Sequence, residues 1–132
     1  MFDDLKILVV EDQTEMRSLI RNILAEAGVT QVFEASDGRA ALQFIDMAFD
    51  CVNVIICDWN MPGLSGVELL RQIRSTDTAT PVLMLTARHD KRSVLEAKMA
   101  GVTAYIGKPF SEGQLTSKLR ILRERLKHAG RL

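Results

Sequence analysis

The sequence predicts an α/β fold in which a parallel five-stranded sheet is doubly wound, with five helices covering its two faces. Three observations lead to this prediction: short apolar runs recur five times, segments with helical spacing separate them, and the connections are short. Strands that alternate with helices form parallel sheets, because each helix returns the chain to the same edge of the sheet. Right-handed crossovers then favour the doubly wound arrangement.

Five runs rich in apolar residues predict the strands. They are nearly continuous in apolar character, as expected for strands buried on both faces of a parallel sheet. Pattern alone leaves the strand order open. The predicted strands lie at 5–10, 30–35, 52–57, 81–86 and 103–107.

Apolar residues at helical spacing predict the five helices between and after these runs. Ser36 and Ser111 are candidate N-caps, because a serine hydroxyl can accept a hydrogen bond from the first turn. Gly28 and Gly101 are candidate C-terminal stops. The predicted helices lie at about 16–27, 36–48, 64–73, 91–100 and 111–126.

Length and composition indicate one soluble globular domain. The chain has 132 residues, 47% of them hydrophobic, and a net charge of zero. No apolar run approaches the roughly 20 residues of a membrane span. The N-terminus lacks the features of a signal peptide, so we expect a cytoplasmic protein that does not bind membranes. Cys51 and Cys57 are too far apart along a strand for a disulfide, and both are expected to be reduced core thiols.

Charge is unevenly distributed along the chain. Residues 1–58 hold eleven acidic against four basic residues, whereas residues from Gly113 onward hold six basic residues and one acidic residue. No aromatic residues are interleaved with the basic ones, and no recognition motif follows. The sequence therefore predicts no nucleic-acid partner, and the basic residues are interpreted as a solvated helix face.

Polar residues follow four of the five predicted strands. The first strand is followed by Glu11 and Asp12, the third by Asp58 and the fifth by Lys108, and the fourth ends in Thr86. Ligands of open parallel sheets bind outside the carboxyl ends of the strands, so these side chains are expected in one crevice. The second run ends in Glu34-Ala35-Ser36, as expected for an edge strand far from the crevice.

The predicted crevice suits phosphoryl chemistry. Three carboxylates repel one another unless one is protonated or a cation lies among them. A hard divalent cation such as Mg²⁺ suits an all-oxygen site. Together with an ammonium and a hydroxyl, these groups could neutralise and position a phosphoryl group, which makes Asp58 a candidate nucleophile. The alternative is that each residue is merely a loop or cap residue.

Four short motifs resemble those of the receiver domain of bacterial two-component response regulators. They are Glu11-Asp12, the DWNMPG string that starts at Asp58, Thr86-Ala87, and Lys108-Pro109-Phe110. The resemblance is closest to stand-alone chemotaxis-type receivers and covers essentially the whole chain, which would make 1–132 a single receiver domain with a core at about 5–127. It implies the flavodoxin-like strand order 2-1-3-4-5.

The resemblance assigns roles at the crevice. Asp58 would be the phosphoacceptor, and Lys108 would pair first with Asp58 and then with the phosphoryl oxygens. Asp12 would bind Mg²⁺ or Mn²⁺ directly and Glu11 through water, with Asp58 and the backbone carbonyl of Asn60 as further ligands. Family members often carry Asp-Asp where this chain has Glu-Asp.

Further roles concern the switch and its neighbours. Thr86 would move toward the phosphoryl group and let Tyr105 turn inward. Small Ala87 would leave room for the phosphoryl donor, and Arg88, like Asn60, would tune loss of the phosphoryl group. The peptide bond before Pro109 is expected to be cis.

The resemblance also implies partners. The donor would be a histidine kinase or a histidine phosphotransfer protein, and the target a protein such as a flagellar motor component. Phosphorylation would change the face formed by the fourth helix, fifth strand and fifth helix. Its cations suit an acidic partner, and we expect a monomer. These cations are Lys91, Arg92, Lys98 and Lys118.

Several alternatives remain open. The chain could be a phosphorelay intermediate or a phosphate sink rather than a switch that acts on a target. An aspartyl-phosphate phosphatase would need a second aspartate where Asn60 stands, because an amide cannot act as the acid. A flavin or nucleotide binder is disfavoured, since neither glycine-rich phosphate-binding motif occurs. Trp59 is expected as a semi-exposed ring beside the site, and His89 and His128 as exposed histidines.

Overall fold

The computed structural model describes residues 2–88 and 90–132, with only the backbone of Phe49. Over these residues the chain forms one sheet of five parallel strands in the order β2-β1-β3-β4-β5. The predicted fold class and the implied strand order are both confirmed. The strands are β1 (Lys6–Val10), β2 (Gln31–Ala35), β3 (Val54–Asp58), β4 (Val82–Thr86) and β5 (Ala104–Gly107).

Helices follow all five strands, as predicted. A short 3₁₀ turn at Phe49–Cys51 separates the second helix from β3. Within the described residues, no helix has both the length and the apolar character needed to cross a membrane. The helices are α1 (Thr14–Glu26), α2 (Gly38–Ala48), α3 (Gly66–Arg74), α4 (Lys91–Ala100) and α5 (Glu112–His128).

Two hydrophobic clusters fill the two sides of the sheet. Alternate residues of β1 enter different clusters, with Ile7 in one and Leu8 in the other. The first cluster contains the buried faces of α1 and α5, and the second contains those of α2, α3 and α4. Because successive strand side chains point to opposite faces, this division shows that the sheet is covered on both sides.

The helix ends confirm most of the predicted caps. Ser111 caps α5 in a capping box with Gln114, and Gly101 ends α4 in the left-handed conformation at φ 98°. The prediction that Ser36 caps α2 is wrong. The carboxylate of Asp37, one residue later, accepts a hydrogen bond from the Ala40 N–H at 2.8 Å and therefore holds the capping position.

The cysteine predictions are partly confirmed. Both thiols are free and Cys57 is buried, but Cys51 is exposed. It lies in the 3₁₀ turn that precedes β3, outside the sheet, and so the prediction of a core thiol is wrong there. His128 is exposed as expected, whereas His89 lies outside the described residues.

Candidate functional site

The register of the sheet brings four strand ends together. Val10 of β1 is level with Cys57 of β3, and Asp58 is level with Leu85 of β4. Thr86 is level with Gly107, the residue before Lys108. The polar residues that follow or end these strands therefore lie along one edge, as the sequence predicted.

Three carboxylates and one ammonium form the centre of this edge. Oxygens of Glu11, Asp12 and Asp58 all lie within 4.8 Å of one another. The Lys108 Nζ lies 3.0 Å from Asp58 Oδ1 and 3.3 Å from Glu11 Oε1. Glu11 is 1% exposed and Asp58 is 5% exposed, so most of the charge lies out of water.

The shifted pKa values follow from this crowding. Burial raises the pKa of Glu11, and the charge of Asp58 adds to the rise, although a hydrogen bond from the Gln13 N–H opposes it. Burial lowers the pKa of Lys108, but hydrogen bonds and attraction to Asp58 and Glu11 outweigh that effect and raise it. Lys108 is therefore a fixed positive charge, and the carboxylates retain an excess of negative charge that a cation can balance.

Asp58 is held by its backbone as well as by its neighbours. The Trp59 N–H donates to the Leu85 carbonyl at 3.0 Å, and the Gly66 N–H donates to the Trp59 carbonyl at 2.8 Å. A Cβ added to Gly66 would lie only 2.1 Å from the Asp58 carbonyl oxygen. The backbone at the start of α3 is therefore packed closely against the carbonyl of Asp58, the candidate phosphoacceptor. Gly66 is not among the residues predicted from the sequence, where its only signal is a glycine at a helix start.

Thr86 and Tyr105 are linked through the backbone of Arg88. Burial raises the pKa of Tyr105, and the nearby Thr86 hydroxyl opposes this rise. The Tyr105 hydroxyl donates to the Arg88 carbonyl, and the Arg88 N–H donates to Thr86 Oγ1 at 2.9 Å. The loop after β4 is therefore tied to both residues.

Arg88 extends over the loop that follows Asp58. Its guanidinium carbon lies 5.3 Å from the centre of the Trp59 ring, and its Nη2 donates to Asn60 Oδ1 at 3.4 Å. The prediction of a semi-exposed Trp59 is wrong, because the ring is 3% exposed and packs in the second hydrophobic cluster. Asn60, by contrast, is exposed.

Arg17 joins the site to the edge strand, a contact that was not predicted from the sequence. β2 is an edge strand as predicted, but it is not isolated from the crevice. Arg17 of α1 donates from Nη1 to the Glu11 carbonyl at 2.8 Å and from Nε to Glu34 Oε1 at 3.1 Å. The sequence offers a weak signal, an arginine at the start of the helix that follows the acidic pair.

The other predicted residues lie around this centre. Ala87 and Pro109 are exposed, and the Lys108–Pro109 peptide bond is cis, as the resemblance implied. An open cavity of about 660 Å³ lies beside Asn60 and Arg88. A larger cavity of about 930 Å³ near Lys6 and Asn53 contains none of the predicted site residues.

Comparison with known proteins agrees with this geometry. A family model described as "Response regulator receiver domain" matches residues 7–120. The chain belongs to this family. Chemotaxis protein CheY-3 of Vibrio cholerae is 41% identical over 126 residues, which are 93% of this chain and 95% of that protein. Chemotaxis protein CheY of Pseudomonas aeruginosa is 40% identical over 125 residues, covering 92% and 98% of the two chains.

Solved receiver structures are similar as well. CheY4 of Vibrio cholerae has a TM-score of 0.82 and 35% identity, over 89% of this chain and 98% of that chain. The receiver domain of the Francisella response regulator 1452 has a TM-score of 0.84 and 33% identity, over 92% and 98%. As a receiver domain, the chain is a phosphorylation-activated signalling switch of two-component or chemotaxis signalling.

Proposed function

We propose that this receiver accepts a phosphoryl group on Asp58 and signals through the face formed by α4, β5 and α5. The observation that carries the proposal is the position of Asp58, which lies 3.0 Å from the Lys108 ammonium and within 4.8 Å of two further carboxylates. A carboxylate oxygen held in this way can attack phosphorus and form an acyl phosphate.

The donor in this proposal is a phosphohistidine of a histidine kinase or a histidine phosphotransfer protein. An Asp58 oxygen forms a new bond to phosphorus, and the bond from phosphorus to the histidine nitrogen breaks with its electron pair. Lys108 then holds the phosphoryl oxygens, since its ammonium already lies against Asp58. Exposed Ala87 presents no bulk on the approach to Asp58.

The acidic cluster fits Mg²⁺ or Mn²⁺. The donor set is all oxygen, and one ion between three carboxylates would relieve their repulsion. Asp12 and Asp58 would bind it directly, Glu11 through water, and Asn60 through its backbone carbonyl. When bound, the ion neutralises charge on the transferred phosphoryl group.

The switch in this proposal begins at Thr86. Its hydroxyl accepts from the Arg88 N–H, and the Arg88 carbonyl accepts from the Tyr105 hydroxyl, so a move of Thr86 toward the phosphoryl group disturbs the backbone that holds Tyr105. Tyr105 is half-buried at the sheet edge and is then released to turn inward. Phosphorylation would thereby shift the population of two arrangements of this face.

The proposed output face combines cations with exposed apolar side chains. On α4, Leu95 is 56% exposed and Met99 is 80% exposed, beside the exposed Lys91, Arg92 and Lys98. Such a face suits an acidic segment with apolar anchors. Since two similar relatives are chemotaxis proteins, a flagellar motor component is the target we propose.

Intact-mass measurement tests the phosphoacceptor. The protein and its Asp58→Asn variant are incubated with acetyl phosphate, with and without Mg²⁺. We expect one added phosphoryl group on the wild type, dependent on Mg²⁺, and none on the variant. A wild type that remains unmodified, with a competent kinase also tried, would contradict the proposal. An equal adduct on Asp58→Asn would place the phosphoryl group on another residue.

A further inference from the structure

We propose that Arg17 is a positioning residue that holds the acidic loop in its metal-binding arrangement. The inference rests on the proposed function, because it concerns the affinity of the same site for Mg²⁺. It adds a residue outside the four motifs, on α1, and it gives the edge strand β2 a part in the site.

The contacts of Glu11 show how completely this residue is held. Its N–H donates to the Ala35 carbonyl of β2 at 3.1 Å, and its carbonyl accepts from Arg17 Nη1 at 2.8 Å. Its two carboxylate oxygens accept from Lys108 and from the Gln13 N–H. Of these four contacts, Arg17 alone binds the carbonyl that leads into Asp12.

That carbonyl controls the orientation of the next residue. The carbonyl of Glu11 and the N–H of Asp12 share one planar peptide unit, so a fixed carbonyl fixes the plane from which Asp12 starts. A charged donor at 2.8 Å is a strong restraint on this plane. Arg17 is itself anchored, since its side chain is 20% exposed and its Nε donates to Glu34 at 3.1 Å. The chain of contacts runs from β2 through α1 to the acidic pair.

Arg21 provides a matched control within the same structure. It also pairs with Glu34, through Nη1 at 2.9 Å, but its side chain is 63% exposed and, among the described residues, it forms no hydrogen bond or ion pair with Glu11. Both arginines carry one positive charge on the same helix. Removal of either positive charge would by itself strengthen the binding of a nearby cation. Weaker Mg²⁺ binding after the substitution of Arg17 therefore cannot arise from the lost charge.

Titration calorimetry with MgCl₂ tests the inference on the wild type, Arg17→Gln and Arg21→Gln. Partners that orient metal ligands are worth roughly 10- to 100-fold in metal affinity. We expect Arg17→Gln to weaken Mg²⁺ binding at least about tenfold and Arg21→Gln to stay within about twofold of the wild type. Equal Mg²⁺ affinity of Arg17→Gln and the wild type, or an equal loss in Arg21→Gln, would overturn the inference.

A second readout separates positioning from general damage and from failure of the proposed function. Labelling by acetyl phosphate is followed over a range of Mg²⁺ concentrations. For Arg17→Gln the half-saturating Mg²⁺ concentration should rise about tenfold, while the labelling rate at saturating Mg²⁺ should match the wild type. A lower rate at saturation with unchanged half-saturation would refute positioning. A wild type that neither binds Mg²⁺ nor accepts a phosphoryl group would instead refute the proposed function.

Discussion

Asp58→Asn should stabilise the metal-free protein, because it removes one charge from a crowded site. With oxygens within 4.8 Å of one another, each repulsion of Asp58 with Glu11 or Asp12 amounts to at least about 3.5 kcal/mol at an effective dielectric constant near 20. The attraction to Lys108 at 3.0 Å amounts to about 5.5 kcal/mol on the same scale. The two repulsions thus exceed the attraction by about 1.5 kcal/mol.

Solvent reduces this excess, because Asp12 is partly exposed, and we expect a net gain of about 1 kcal/mol. For a domain of this size the gain corresponds to a rise in Tm of about 3–5 °C. The measurement is thermal and urea unfolding in EDTA. Saturating Mg²⁺ should then reverse the order, since the wild type gains about 2.7 kcal/mol at a hundredfold excess over Kd and the variant gains less.

The control is Asp46→Asn, which removes an exposed aspartate of α2 and should change stability by less than about 0.5 kcal/mol. An Asp58→Asn variant that is less stable than the wild type in EDTA would refute the electrostatic reasoning. A stability difference between Asp58→Asn and the wild type that Mg²⁺ leaves unchanged would also refute this reasoning.

Three further predictions follow from the same site. Burial raises the pKa of Glu11 in the folded protein above its ordinary value of 4.5. The folded protein therefore loses stability as the pH rises from that ordinary value through the raised pKa, because the buried carboxyl must then ionise. Urea unfolding of metal-free Glu11→Gln should therefore show a larger gain over the wild type at pH 7 than at pH 4, and an equal gain at both would contradict the shift. Arg88→Ala removes a cation–π contact with the Trp59 ring that is worth about 0.5–1 kcal/mol. A decrease of this size in the barrier to hydrolysis should shorten the half-life of the phosphoprotein about two- to fivefold. An unchanged half-life would exclude this role of Arg88. Gly66→Ala should destabilise the fold by at least about 1–3 kcal/mol through its clash with the Asp58 carbonyl. Gly113→Ala, with no contact closer than 3.9 Å, should be neutral or stabilising by up to about 1 kcal/mol, and similar effects of the two would argue against the clash.

The sequence was sufficient for the fold and for the centre of the site. The apolar runs predict the strands to within one or two residues, because a parallel sheet buried on both faces needs nearly continuous apolar strands. Motifs at the strand ends then predict which side chains converge. Asp58, Lys108 and Glu11 are indeed in contact or close proximity.

What the sequence could not show depends on packing between distant segments. Arg17 resembles any other exposed arginine of an amphipathic helix until its carbonyl partner is known. Gly66 resembles a poor helix residue until the strand behind it is placed. Trp59 is predicted to be a semi-exposed ring beside the site, yet Arg88, from a later segment of the chain, covers the ring.

The close approach of Gly66 to Asp58 limits how the end of β3 can move. The strand cannot retreat from a group added to the Asp58 side chain, because the start of α3 already occupies the space behind its carbonyl. Leu85 of β4 holds the next residue through its own carbonyl. If Asp58 accepts a phosphoryl group as proposed, the movement that follows falls to the loops around it, such as the segment from Thr86 to Arg88, and not to β3. In the proposed switch, the fixed backbone behind Asp58 would therefore direct the change toward the loops on the opposite side of the site.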